Sequence, residues 1–154
     1  MKPSNTPVHV LAVASGGGHW VQLLRVAPAL DKCAVTFVTV DQAYGRQVPA
    51  HRVYTIKDAT RWNKFGLIRM ALQLAWIIWK ERPGVVVSTG AAPGYVALRL
   101  GRLLGARTIW LDSMANVERL SMSGDKVGPY ADLWLTQWPD LARPGGPHYA
   151  GSIL

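Results

Sequence analysis

Apolar positions alternate between two patterns along the chain. The first is a short, nearly unbroken run, seen in VHVLAVAS (8–15), AVTFVTVD (34–41), GVVVSTG (84–90), RTIWLD (107–112) and DLWLTQW (132–138). HRVYTIKD (51–58) alternates apolar and polar instead. Such segments read as strands, and the unbroken ones as strands covered on both faces. The second pattern is longer, with apolar residues near helical spacing: HWVQLLRVAPAL (19–30), NKFGLIRMALQLAWIIWKERP (63–83) and APGYVALRLGRLLG (92–105). Pro28 ends or bends the first helix and Pro83 stops the second. Pro93 fits the first turn of the third helix and Gly105 its end. Strand–helix alternation with buried strands predicts an α/β fold: a Rossmann-like, doubly wound parallel sheet covered by helices, one domain over residues 1–154. The tail PDLARPGGPHYAGSIL is rich in turn residues and predicts no further clear strand.

In such a fold ligands bind at the carboxyl ends of the strands, where loops meet helix N-termini and backbone N–H groups favour anions. The candidate residues cluster at these ends. Ser15, Gly16, Gly17, Gly18 and His19 follow the first strand, and Ser88, Thr89, Gly90 and Gly94 follow the fourth. Asp112 and Ser113 follow the fifth. Gly16–Gly18 are not a dinucleotide fingerprint, because Val21 stands where the third glycine belongs. No Gly-Lys-Ser/Thr follows to make a P-loop. The triple glycine reads either as a backbone that approaches a phosphate or sugar, or as a tight turn. His19 reads as a general base, as a donor to phosphate, or as a capping residue. Asp112 reads as a base, as a sugar-orienting acid or as a cap. Asp41 reads as a cap or surface acid rather than a ribose ligand. Arg119, Ser121, Ser123 and Gly124 lie in a polar stretch suited to oxyanion or hydroxyl contacts, or to solvent alone. Nothing has metal-ligand spacing, and no metal or cofactor is expected.

Charge and aromatic content add a partner. The net charge is +8 and the chain holds seven tryptophans. A basic surface points to polyanions. Trp76 and Trp79 lie in an almost uncharged segment, which turns the reading from nucleic acid toward lipid. The helix over FGLIRMALQLAWIIW (65–79) is short for a membrane span. It is either a buried core helix or an interfacial one, with Trp62, Trp76 and Trp79 at headgroup depth and Lys64 and Arg69 meeting an anionic membrane surface. One cysteine, Cys33, excludes an internal disulfide and suits a reducing compartment. The start of the chain does not read as a signal peptide.

The stretches ASGGGHWVQLL, VVVSTGAAPG, LDSMANVERLSMSGDKVGPYADLWLTQWP and YAGSIL, in this order, resemble the bacterial PssD-type polysaccharide-biosynthesis proteins. Those are relatives of the membrane-anchoring subunit of the eukaryotic two-subunit UDP-N-acetylglucosamine transferase. More distantly, the glycine loop followed by histidine resembles MurG. The resemblance covers essentially the whole chain and implies the amino-terminal, acceptor-binding domain of a GT-B glycosyltransferase. It implies transfer from a UDP-sugar to a polyprenyl-diphosphate-linked acceptor in exopolysaccharide or capsule synthesis. The chain would act peripherally on the cytoplasmic face of the inner membrane, with a PssE-type donor-binding subunit and no nucleic acid. By the same resemblance Gly16–His19 lie by the acceptor diphosphate or sugar, and Ser88–Gly94 form a second acceptor loop. Asp112, Ser113, Arg119, Ser121, Ser123 and Gly124 match a stretch in which the family commonly carries glutamate where this chain has Asp112.

Overall fold

The computed structural model describes residues 6–153. Each of the six sequence-predicted strands forms, trimmed to the part that a neighbour can pair. They are β1 (His9–Val13), β2 (Ala34–Thr39), β3 (Arg52–Thr55), β4 (Val85–Ser88), β5 (Arg107–Leu111) and β6 (Leu133–Thr136). A short β7 (His148–Tyr149) follows. All neighbours pair in parallel, in the order β3-β2-β1-β4-β5-β6-β7. The winding reverses between β1 and β4, which is the switch point where such sheets open a crevice at their carboxyl ends.

The helices are α1 (Gly18–Val26), α2 (Lys64–Glu81), α3 (Ala91–Leu103) and the short α4 (Met122–Lys126). Pro28 ends α1, and a 3-10 stretch at Ala27–Leu30 replaces its predicted last turn. Alternation along the strands feeds two cores. Val10, Ala12, Phe37 and Val87 point to one face and pack with Trp20 and Leu23 of α1. Leu11, Val13, Val38 and Val86 point to the other and pack with Met70, Leu74 and Ile78 of α2 and with Ala97 and Leu98 of α3. A period of two in the strands thus meets a period of 3.6 in the helices.

Two expectations change. The turn-rich tail does pair: Leu135 stands opposite His148 and Thr136 opposite Tyr149. A turn closed by Arg143 N–H to the Pro147 carbonyl and Gly146 N–H to the Arg143 carbonyl aims those two residues at β6. Helix α2 is neither wholly buried nor conventionally amphipathic. Met70, Leu74, Ile77 and Ile78 are buried, whereas Phe65, Ile68, Leu72, Trp76 and Trp79 form a second, exposed apolar stripe at spacings of three and four. Among the described residues no helix is long and apolar enough to cross a membrane.

Candidate functional site

The loops after β1 and β4 lie side by side because β1 and β4 are paired. They are locked by a reciprocal contact. His19 Nδ1 sits 3.0 Å from the Thr89 carbonyl oxygen. The Thr89 hydroxyl donates to the His19 carbonyl at 2.6 Å. A carbonyl only accepts, so Nδ1 carries the proton. In the neutral ring Nε2 then holds a lone pair. Nε2 makes no hydrogen bond among the described residues. The ring is half-buried. Its seat depends on Gly90: a Cβ there would lie 2.5 Å from the imidazole, and Gly90 has φ of +139°. Thr89 is fully buried.

The two helices that open at this crevice share a second property. Gly17 caps α1 and Gly90 caps α3, and neither helix has a side-chain cap. By contrast, Asn63 caps α2 and Ser121 caps α4 through hydrogen bonds to Gly66 N–H and Gly124 N–H. Side chains thus fill the first-turn amides of α2 and α4, whereas those of α1 and α3 have no side-chain cap and can serve an outside acceptor. Gly17 adopts φ of +61°, and its N–H donates to the Tyr44 hydroxyl at 2.8 Å. A Cβ on Gly16 would press on the same tyrosine, whereas Gly18 faces open space. Ser15 is partly exposed beside them. Ser88 is buried, and its hydroxyl accepts from Gly90 N–H at 3.1 Å. Gly94 lets α3 pack directly on Ser88.

Asp112 has the opposite character. It is 1% exposed, and both carboxylate oxygens are occupied by the chain itself. Trp110 Nε1 donates at 3.1 Å, Ser121 N–H at 2.9 Å and Asn116 Nδ2 at 3.4 Å, with the Ser121 hydroxyl completing the set. Gly124 is required there, because any Cβ would collide with an Asp112 oxygen. Asp112 therefore ties β5 to the start of α4 and holds the polar loop in place. Ser113 is buried and accepts from Gln22 Nε2 at 3.0 Å and from Ala115 N–H at 3.2 Å. Arg119 is exposed, and Ser123 is partly exposed on α4. Asp41 caps the 3-10 stretch Gln42–Gln47 through Ala43 N–H at 2.8 Å, as expected.

A buried amide pair, whose Gln22 sequence reasoning missed, joins α1 to the end of β6. Gln137 Nε2 donates to Gln22 Oε1 at 2.6 Å and to the Asp112 carbonyl at 3.0 Å. Its Oε1 accepts from Ile153 N–H. Gln22 also accepts from Met114 N–H at 3.0 Å. A lone amide within the apolar stripe WVQLL was the available signal. Tyr44, which reaches the glycine loop from a distant turn, offered none. Trp62, Lys64, Arg69, Trp76 and Trp79 are all exposed on or next to α2, away from His19 in sequence and on the outer surface. Among the described residues no group of His, Cys, Asp or Glu is arranged to hold a metal.

Residues 41–153 match the family described as "Oligosaccharide biosynthesis protein Alg14 like". A UDP-N-acetylglucosamine transferase subunit ALG14 from Yarrowia lipolytica is 40% identical, over 92% of this chain and 79% of that protein. The protein of the same name from Eremothecium gossypii is 28% identical, over 89% of this chain and 75% of its own length. Among solved structures, MurG of Acinetobacter baumannii aligns with a TM-score of 0.76 at 17% identity, covering 95% of this chain and 46% of that one. UDP-N-acetylglucosamine 2-epimerase from Rickettsia bellii aligns with a TM-score of 0.73 at 13% identity, covering 96% of this chain and 45% of its own. The chain therefore spans just under half the length of these two structures, and at such identities the likeness is one of fold.

Proposed function

The chain belongs to the family of Alg14-like oligosaccharide biosynthesis proteins, and from that premise we propose that it is the acceptor-binding half of a two-component glycosyltransferase. The observation that carries the reading is the His19–Thr89 lock, which leaves Nε2 free between two helix N-termini that lack side-chain caps. That arrangement suits a substrate bearing both a hydroxyl and a nearby phosphate. The substrate is a sugar on a polyprenyl diphosphate, and the donor is a UDP-sugar, with UDP-N-acetylglucosamine the first to test. A separate donor-binding subunit of the PssE type supplies the other wall of the cleft, and the chain is of the bacterial PssD type, serving exopolysaccharide or capsule synthesis.

In the reaction the acceptor hydroxyl oxygen forms a bond to the anomeric carbon of the donor sugar. The bond from that carbon to the UDP phosphate oxygen breaks, and UDP leaves with the bonding pair. His19 Nε2 takes the hydroxyl proton while the Thr89 carbonyl holds the other ring nitrogen and steadies the imidazolium. Such base assistance is worth about 10²–10⁴-fold. The uncapped amides of α1 and α3 hold the acceptor diphosphate, with Ser15, Gly16 and Gly18 providing backbone that a phosphate can approach, while Gly17 and Gly90, their N–H groups engaged by Tyr44 and Ser88, set the turns. Ser88 and Gly94 shape the second loop. Asp112 is a positioning residue, with its oxygens engaged by Trp110, Asn116 and Ser121. Ser113 and Arg119 belong to the loop it anchors, and Ser123 and Gly124 to α4 at the end of that loop.

The chain acts on the inner face of the membrane, and the exposed stripe of α2 supports contact with lipid. Phe65 is 87% exposed, Trp62 80% and Trp79 63%. Lys80 Nζ lies 4.7 Å from the Trp76 ring centroid, so a cation and an interfacial indole share one spot. Aromatic bodies with polar edges beside cations suit an anionic headgroup layer. Changing Phe65 and Trp79 together to serine is expected to abolish sedimentation with phosphatidylglycerol vesicles and leave thermal stability unchanged. Transfer itself is tested with the chain, its partner and a polyprenyl-diphosphate-linked sugar. Activity by the pair and by neither chain alone supports the reading, and activity of the partner unchanged by this chain sinks it.

A further inference from the structure

A groove of about 950 Å³ runs between α2 and α3. It does not coincide with the His19 crevice. Its floor is apolar, formed by Leu67 and Ala71 of α2 and by Val96 and Leu100 of α3. Its rim is cationic. Arg61, Arg99 and Lys126 line it, and none of the three forms an ion pair among the described residues. Arg99 lies over the Tyr130 ring at 4.7 Å, and Arg61 donates to Met122 Sδ at 3.2 Å. Among the described residues no carboxylate lines the groove.

The groove also has a direction. One end lies at Ala92, two residues beyond the Gly90 cap, and at Ser123, two residues beyond the Ser121 that holds Asp112. The other lies at Leu103, which is 81% exposed. From Ala92 to Leu103 the helix rises about 16 Å. An apolar trough thus starts beside the amides suited to a diphosphate and leads along α3 to the outer surface, next to the exposed stripe of α2.

We propose that the α2–α3 groove seats the hydrocarbon chain of the acceptor, taking the isoprene units nearest the diphosphate as that chain passes from the His19 crevice to the bilayer. This rests on the acceptor-binding reading and adds a chain-binding site to it. Charge complementarity fixes the class of occupant: three unpaired cations around an apolar floor match an anionic amphiphile, not a neutral one. Continuity with the crevice favours the acceptor over bulk phospholipid. A chain in the groove would also hold the reacting sugar against His19, so that acceptor affinity grows with chain length.

The test uses the full chain in mixed micelles with a polyprenyl diphosphate that carries a diazirine in the isoprene unit nearest the diphosphate. After irradiation, labelled peptides are mapped by mass spectrometry. Label is expected on the groove segments of α2 and α3, and unlabelled polyprenyl diphosphate should compete it away while phosphatidylglycerol does not. Ala71→Trp fills the floor and is expected to weaken labelling by about tenfold or more, since several methylenes lose their apolar seat. Leu103→Asp at the exposed end is the second variant, chosen because its site is not packed, and a smaller loss is expected there. Label confined to Phe65, Trp76 and Trp79, or equal competition by phosphatidylglycerol, overturns the proposal and makes the groove part of a general lipid surface. Transfer activity does not enter this readout. Groove labelling by a chain that supports no transfer would sink the transferase reading alone, and transfer with no groove labelling would sink the groove alone.

Discussion

Two halves of one crevice treat their polar side chains in opposite ways. On the β1/β4 side His19 commits one ring nitrogen to Thr89 and leaves the other without a partner among the described residues. On the β5 side Asp112 engages both oxygens with four donors from its own chain. A group oriented on one side and free on the other is placed to exchange a proton with a substrate. A group engaged on all sides is placed to hold a loop. Charge and location alone would rank the aspartate with the histidine. The partners separate them.

His19→Gln gives the largest expected effect. It should lower kcat of the assembled pair by about 10²–10⁴-fold while the melting temperature stays near wild type. Gly90→Ala comes next, because its Cβ would displace the imidazole and force a side chain into positive φ. Misplacement of about 1 Å costs about 10²-fold, so kcat should fall by that order with KM for the UDP-sugar unchanged. Asp112→Ala reverses the pattern. Each buried donor left without an acceptor costs about 1–3 kcal/mol. A total near 4 kcal/mol corresponds to a fall of about 10 °C in the melting temperature. In the protein that remains folded, activity should stay within about tenfold of wild type, as for a group outside the proton path. An Asp112→Ala chain that melts normally yet loses all transfer would erase the contrast.

Glu81 sharpens the same contrast at the amino end of the sheet. Burial would push its carboxyl up. Hydrogen bonds from Tyr54 and Arg52, with the charges of Arg52 and His9, outweigh burial and hold it below the ordinary value. A lowered folded value means stability that is fully present above the ordinary value of 4.5 and lost as pH falls through the folded one. The urea midpoint should therefore be level near neutral pH and drop below that range. Glu81→Gln should shrink the drop and leave the part that comes from Asp132, whose carboxyl hydrogen bonds from Thr108 also hold low, with no effect on kcat at neutral pH. This is the smallest effect and the control for a saturated acid with no substrate nearby.

The alternation of apolar runs carried most of the fold, because buried parallel strands need no polar face and leave a plain signal. Pro28, Gly105 and the Asp41 cap were legible for the same reason: each acts on its immediate neighbours. What escaped was non-local. His148 and Tyr149 become a strand only because β6 offers them an open edge. The exposed half of α2 could not be told from core by composition, since both halves are apolar. At the site, the glycines and His19 were visible in sequence. The Thr89 contact that fixes the tautomer joins residues 70 positions apart, and the saturation of Asp112 depends on a loop that returns to it. Those facts belong to the folded chain.

The most direct test is single-turnover transfer from radiolabelled UDP-N-acetylglucosamine to a polyprenyl-diphosphate-linked sugar by the chain with its partner, comparing wild type with His19→Gln at saturating acceptor. The account predicts transfer by the wild-type pair and a rate about 10²–10⁴-fold lower in the variant, with acceptor binding and melting temperature retained. A His19→Gln pair that turns over at the wild-type rate would contradict it.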